Sequence, residues 1–264
     1  MLRLVVCDWN GTLIREKLEE TFFLGLCRRA VVRAITHGHL RKLFRIMLAG
    51  VRGFREYRAA LRRPDRVPHH IARVVAMLDP LIFRGLSHQE VNDYTRFYAR
   101  RAQPMLDARM LAPLELARKR FHLPVGVISS GCRSGIEATM TMANDPVDFI
   151  CANDFWWDGN QTGGFRFNLT DNKLELLDMV LAEHNVDPAD VMYIGDGPMD
   201  AECFGRVGWP VSSFFASHRQ RARFARDYGA FAPTTQAEFQ KHLFDACGGE
   251  GRKDNRRGKG AKSQ

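Results

Sequence analysis

Val5-Val6-Cys7-Asp8-Trp9-Asn10-Gly11-Thr12-Leu13 carries the decisive pattern near the start of the chain. The apolar run from Leu2 to Cys7 stops at a carboxylate, as expected of a short strand buried on both faces with a polar residue at its carboxyl end. Gly11 then permits a sharp turn, so Asp8 is presented to the crevice beyond the strand as a nucleophile or a metal ligand. An Asp in that place also serves as a helix cap, so this element alone leaves both readings open.

Four more apolar runs follow the same plan: Pro124 to Ser129, Val147 to Cys151, Asp190 to Gly195 and Trp209 to Ser212. Between them lie helical patterns, clearest at Lys173 to His184, where Leu174, Leu176, Leu177, Val180 and Leu181 repeat, and at Arg133 to Met142. Strands alternating with helices predict an α/β fold, a doubly wound parallel sheet with its site at the carboxyl ends of the strands. Residues 16–104 break the alternation. They show helical segments separated by His37-Gly38, Gly50, Pro64, Pro68 and Pro80 and no convincing strand, so they read as an inserted helical domain between core segments 1–15 and 105–247. Phe155 to Phe167, turning at Asp158-Gly159-Asn160, reads as a hairpin, with Trp156 and Trp157 bracing it against the core. Residues 248–264 hold Gly, Lys, Arg, Asn and Ser with Ala261 alone among apolar side chains, and are expected to form a disordered basic tail.

A chain of 264 residues, 45% hydrophobic, can bury a large core with a smaller insert. It has no run of eighteen apolar residues, and its first apolar stretch begins too near Met1 to follow a signal peptide, so a cytoplasmic protein is expected. Six scattered cysteines form no CxxC pair and no zinc spacing, which predicts reduced, mostly buried thiols. The net charge of +9 is unevenly spread: between Arg28 and Arg66, twelve Arg or Lys face only Glu56 and Asp65, and the tail adds a second excess. The remainder is net acidic, so no nucleic-acid partner is expected. Within the basic insert, Phe22, Phe23, Leu24, Leu26, Val31, Val32 and Ile35, then Leu40, Leu43, Phe44, Ile46, Met47 and Leu48, repeat at helical spacing among arginines. These faces read first as the packed interior of a cap, with contact to an anionic membrane surface as the alternative.

Three more short elements bear on chemistry. Val125-Gly126-Val127-Ile128-Ser129-Ser130-Gly131 delivers a hydroxyl and a turn of backbone amides to the sheet edge, donors suited to phosphate oxygens. Lys173 opens a helix, where its charge opposes the dipole unless an anion lies nearby. Val191-Met192-Tyr193-Ile194-Gly195-Asp196-Gly197-Pro198-Met199-Asp200 places two carboxylates four residues apart beyond a buried strand. Together with Asp8 they would repel one another in a shared crevice, a conflict that a hard divalent cation resolves. Oxygen-only ligands favour magnesium over zinc.

In these four motifs and their order the chain resembles the haloacid dehalogenase superfamily, and within it phosphatases similar to phosphoserine phosphatase, over roughly Leu2 to Phe231. The resemblance extends to Gly85-Leu86-Ser87, the segment Leu106 to Gly131, and Cys151-Ala152-Asn153. It implies a Rossmann-like core, a helical cap and magnesium-dependent hydrolysis of a small phosphorylated molecule through a phospho-aspartate. By the same resemblance Asp8 is the nucleophile, Ser129 binds the transferring phosphoryl group with Thr12, Ser130 and Gly131 nearby, and Lys173 neutralises it. Asp8, Asp196 and the carbonyl of Asn10 ligate the metal, while Asp200 holds its water shell. Elementary chemistry agrees: phosphoryl transfer is mostly positioning plus stabilisation of spread negative charge.

Two positions depart from the family pattern. Asn10 stands where such phosphatases usually carry an acid and base, and an amide cannot exchange a proton at neutral pH. The consequence is slow turnover, dependence on good leaving groups, or phosphate binding without catalysis. Lys17 stands where phosphoserine phosphatases carry an acid that meets the substrate's ammonium group. A cation there argues for a substrate with additional negative charge.

Overall fold

The computed structural model describes residues 1–15, 19–62, 73–74, 76–144, 147–166 and 173–248; the tail expected at 248–264 falls outside them apart from Gly248. A six-stranded sheet forms the centre, in the order β4-β3-β2-β1-β5-β6. Its strands are β1 (Leu4–Cys7), β2 (Val125–Cys132), β3 (Phe149–Asp158), β4 (Gln161–Arg166), β5 (Val191–Gly195) and β6 (Trp209–Ser212). All pair in parallel except the edge strand β4, which runs antiparallel to β3. Every residue of β1 is buried, because the strand lies between β2 (Val5 opposite Val125) and β5 (Val5 opposite Met192). Alternate side chains feed opposite layers, Val5 and Cys7 into one and Leu4 and Val6 into the other. Strand order reverses at β1, and that is where a doubly wound sheet opens a crevice at its carboxyl edge.

The insert contributes α1 (Glu19–Thr36), α2 (Leu40–Arg62), a π turn at Asp79–Phe83 and α3 (His88–Ala102). Helix α3 starts on a reciprocal cap: the Ser87 hydroxyl accepts from the Glu90 amide while the Glu90 carboxylate accepts from the Ser87 amide. Glu90 also meets Arg29 and Arg33 of α1, at 3.2 and 3.1 Å. Where the chain leaves and re-enters the core, the Arg15 amide donates to Met105 O at 3.1 Å and the Asp107 amide to Leu13 O at 2.9 Å. The remaining helices are α4 (Ala108–Phe121), α5 (Arg133–Met142), α6 (Lys173–His184), α7 (Ala201–Arg206), α8 (His218–Tyr228) and α9 (Gln236–Gly248).

Three local expectations change. The run expected at Val147 to Cys151 and the first arm of the hairpin are one continuous ten-residue strand, β3 from Phe149, because Ala152-Asn153-Asp154 contains nothing that breaks it. The hairpin then closes through Gly159, at φ +60°. Trp157 does not brace the hairpin on the core; it stacks on His88 of α3, ring centroids 3.6 Å apart. The hairpin instead joins the insert: the Thr162 amide donates to Leu86 O, the Gly85 amide to Thr162 O, both at 2.8 Å, and Asp79 Oδ1 accepts from the Phe165 amide at 2.6 Å. Finally, the apolar faces of α1 and α2 are not all packed inward. Ile46 and Ala49 are buried, but Leu24, Val32, Ile35, Leu40, Phe44, Met47 and Leu48 are exposed. The six cysteines are free thiols, four of them buried.

Candidate active site

The turn after β1 is tightly specified. The Asp8 amide donates to Ile194 O of β5 at 2.8 Å, and the amides of Leu13 and Ile14 both donate to Trp9 O. Gly11 adopts φ +72°, a left-handed conformation that costs a side chain about 1–2 kcal/mol. A Cβ there would also lie 2.5 Å from the Asp196 carboxyl carbon, so the glycine is what lets the β5 carboxylate close on the turn. Ser213, just past β6, secures the same turn by donating its hydroxyl to Gly11 O at 2.6 Å.

Asp8, Asp196 and Asp200 each bring a carboxylate oxygen within 4.8 Å of the others. Lys173, first residue of α6 and 4% exposed, lies between two of them: its Nζ is 2.8 Å from Asp8 Oδ1 and donates to Asp200 Oδ1 at 2.6 Å. This is the anion that a buried cation at a helix N-terminus requires. Burial opposes the Lys173 charge, but the Asp200 and Asp8 carboxylates outweigh it and raise its affinity for the proton. Burial pushes the Asp8 carboxyl well above the ordinary range; Lys173 opposes this and the carboxylates of Asp200 and Asp196 add to it.

Asp200 has little left to offer a ligand directly. Its Oδ1 accepts from Lys173 and from the Tyr193 hydroxyl at 2.9 Å, and its Oδ2 accepts the amides of Asp196 and Gly197 at 3.0 and 2.9 Å. It therefore orients the lysine and the loop that carries Asp196. Gly195 makes room for it, since a Cβ there would lie 2.5 Å from the Asp200 carboxyl carbon.

Ser129 is fully buried within β2, two residues beyond Val127, which pairs with Cys7. Strand β2 continues to Cys132, but its pairing with β3 slips after Ser129, from Ser129 opposite Ala152 to Cys132 opposite Asn153, so Ser130 and Gly131 bulge out and the Gly131 amide donates to Ser129 Oγ at 3.0 Å. Ser130 is exposed, and its carbonyl accepts from Asn153 Nδ2 at 2.8 Å. Thr12, in the Asp8 turn, is buried, and among the described residues its hydroxyl oxygen has no hydrogen-bond partner. Asn10 is partly buried in that turn. Lys17 lies outside the described residues. The structure thus joins Lys173 to Asp8 and Asp200, brings Asp196 within 4.8 Å of both acids, and sets Asn10 and Thr12 in the turn after β1 and Ser129 in the neighbouring strand β2.

Several contributors escape sequence reasoning. Tyr193 reads as one more apolar strand residue, and Ser213 contacts a turn two hundred residues away. Trp9, fully buried, donates its indole N–H to Tyr98 of α3 at 2.9 Å, joining the Asp8 turn to the insert. No spacing signal could have paired them.

A cluster of three carboxylates around one lysine, at the switch point of a parallel sheet, fits a hard cation by its donor chemistry. The absence of a side chain at Gly11 keeps room beside the Asp196 carboxylate, and among the described residues the Thr12 hydroxyl in the same turn has no hydrogen-bond partner. The model for haloacid dehalogenase-like hydrolases matches residues 5–205. The chain belongs to that family. Several solved structures agree in fold. A substrate-bound phosphoserine phosphatase is 14% identical, covering 92% of this chain and 98% of its own, with a TM-score of 0.55. A phosphoserine phosphohydrolase-like protein from Francisella tularensis is 15% identical, with coverages of 91% and 99% and a TM-score of 0.56. A cytosolic 5'-nucleotidase IIIB bound to cytidine is 13% identical, with coverages of 94% and 86% and a TM-score of 0.60. No curated protein matches the sequence significantly.

Proposed function

We propose that the chain is a magnesium-dependent phosphatase that hydrolyses a small phosphomonoester through an aspartyl-phosphate on Asp8. The observation that carries this reading is the contact of Lys173 with both Asp8 and Asp200 beside Asp196. In this reading an Asp8 oxygen attacks phosphorus as the bond to the leaving oxygen breaks, and water then attacks the phospho-aspartate to release phosphate. Lys173 offsets charge on the transferring group, while Ser129 and Thr12 donate hydroxyl protons to its oxygens. Asp8, Asp196 and the carbonyl of Asn10 would hold magnesium, which when bound screens the carboxylates from an anionic substrate. Asp200 acts at one remove, through Lys173 and the amides it holds. Residues 16–104 serve as a cap over this crevice, supported by the paired entry and exit at Arg15 and Asp107 and by the Trp9–Tyr98 bond.

Two of the structural relatives are a phosphoserine phosphatase and a cytosolic 5'-nucleotidase, and Lys17 favours a substrate with more negative charge than phosphoserine. Asn10 supports a second reading, a phosphate-binding protein with weak or no catalysis. A panel of phosphorylated metabolites and an aryl phosphate, assayed with magnesium and again with chelator, separates the two. Magnesium-dependent release of phosphate from any member supports the phosphatase. Saturable binding without release from any member favours the second reading.

A further inference from the structure

Helix α2 is built inside out. Its buried face holds Ile46, Ala49 and Gly53, with Gly53 against Val74. Its larger apolar side chains face solvent: Leu40 is 74% exposed, Phe44 68%, Met47 62%, Val51 54% and Phe54 62%. Spacings of four, three, four and three residues place these five in one stripe, about 21 Å long at the helical rise. On the neighbouring helix α1, Leu24, Val32 and Ile35 are exposed as well. Single exposed apolar residues need no explanation, but a continuous stripe marks a surface that something covers.

The charge around the stripe identifies what covers it. Helix α2 carries Arg41, Lys42, Arg45, Arg52, Arg55, Arg58 and Arg62 against Glu56 alone, and α1 adds Arg28, while its Arg29 and Arg33 pair with Glu90. A second copy of the chain, set face to face, would bring these like charges together. A neutral apolar groove would strip water from the arginines and offer them no anions. An acidic protein would need a groove matched to this one stripe, whereas a bilayer accepts any apolar face rimmed by cations. Among the described residues no helix is long and apolar enough to cross a membrane, so contact would be at the surface.

We propose that α2, with the adjoining face of α1, docks on the surface of an anionic lipid bilayer. The apolar stripe enters the boundary between headgroups and acyl chains, and the arginines extend along it to the lipid phosphates. This goes beyond the phosphatase reading and does not depend on it.

Co-sedimentation of the full chain with vesicles tests the proposal, comparing phosphatidylcholine alone with an equal mixture of phosphatidylcholine and phosphatidylglycerol. Binding is expected to the mixed vesicles, and to fall as salt shortens the screening length. Phe44→Ser with Phe54→Ser should weaken it by about tenfold or more, and Arg45→Gln and Arg52→Gln by about fivefold each. All four side chains are exposed, so circular dichroism should show unchanged melting. Equal binding to both vesicle types, no binding to the anionic ones, or full binding by the phenylalanine variant would overturn the proposal. So would a dimer in light scattering that the phenylalanine variant dissociates, because the stripe would then belong to a second copy.

Discussion

Replacing Lys173 by methionine keeps the length of the side chain and removes the charge between two buried carboxylates. Lys173 is 4% exposed, with Asp8 at 2.8 Å and Asp200 at 2.6 Å, so neither acid can turn to water when the cation goes. Removing one partner from a buried ion pair typically costs about 3–5 kcal/mol. At about 2–4 °C per kcal/mol for a domain of this size, the melting temperature should fall by about 6–20 °C. The assay is thermal unfolding at pH 8 in the presence of chelator, followed by circular dichroism. Acid should narrow the gap between variant and wild type. Burial already raises the Asp8 carboxyl and Lys173 opposes that rise, so without the lysine Asp8 is held further above its unfolded value, and such a group contributes stability below the unfolded value that is lost as pH rises. A deficit below about 1 kcal/mol at pH 8 would refute the reasoning, since it would place Lys173 in an ordinary solvated pair.

Three further outcomes follow from particular residues. Asn10→Asp should accelerate hydrolysis of an alkyl phosphate by about tenfold or more and of an aryl phosphate much less, because poor leaving groups need the proton most; equal loss on both would show Asn10 to be an adapted part of the site. Gly11→Ala should raise the magnesium concentration needed for half-maximal rate by about tenfold or more, because its Cβ would occupy space 2.5 Å from the Asp196 carboxyl carbon; an unchanged magnesium titration would separate Gly11 from the metal site. Burial among aromatic rings, stacked on Phe231 at 4.1 Å, holds the His242 imidazole below its ordinary value despite Asp245. The unfolded chain then takes up the proton first, so stability present above about pH 6.5 is lost as pH falls, by at most about 1.4 kcal/mol per unit. His242→Phe should flatten that part of the melting profile, and a parallel profile for the variant would exclude His242 as its source.

The sheet was legible because each buried strand ends at a residue it cannot bury for free, Asp8 after β1 and Asp196 after β5. Helix α6 was legible through its leucines, and the conflict between Lys173 and the helix dipole pointed to an anion that the structure supplies twice over. Positions that depend on the third dimension stayed hidden. Tyr193 and Ser213 occupy strand and loop positions where their residue types carry no signal, and the bulge after Ser129, where the pairing with β3 slips, has no mark in the sequence beyond Gly131. On α2 the periodicity was plain, yet it shows only that a face is apolar. Which face packs was decided by the small residues Ala49 and Gly53, which let the helix lie close and leave Phe44 and Phe54 outside.

The central claim is the covalent bond between Asp8 and phosphorus, and acid quenching of the enzyme during turnover of a labelled phosphomonoester tests it most directly. The account predicts a label that survives acid, is released by hydroxylamine as an acyl phosphate should be, and maps to the peptide containing Asp8. Asp8→Ala should show neither label nor turnover. Turnover without any trapped label, or label and turnover retained in Asp8→Ala, would contradict it.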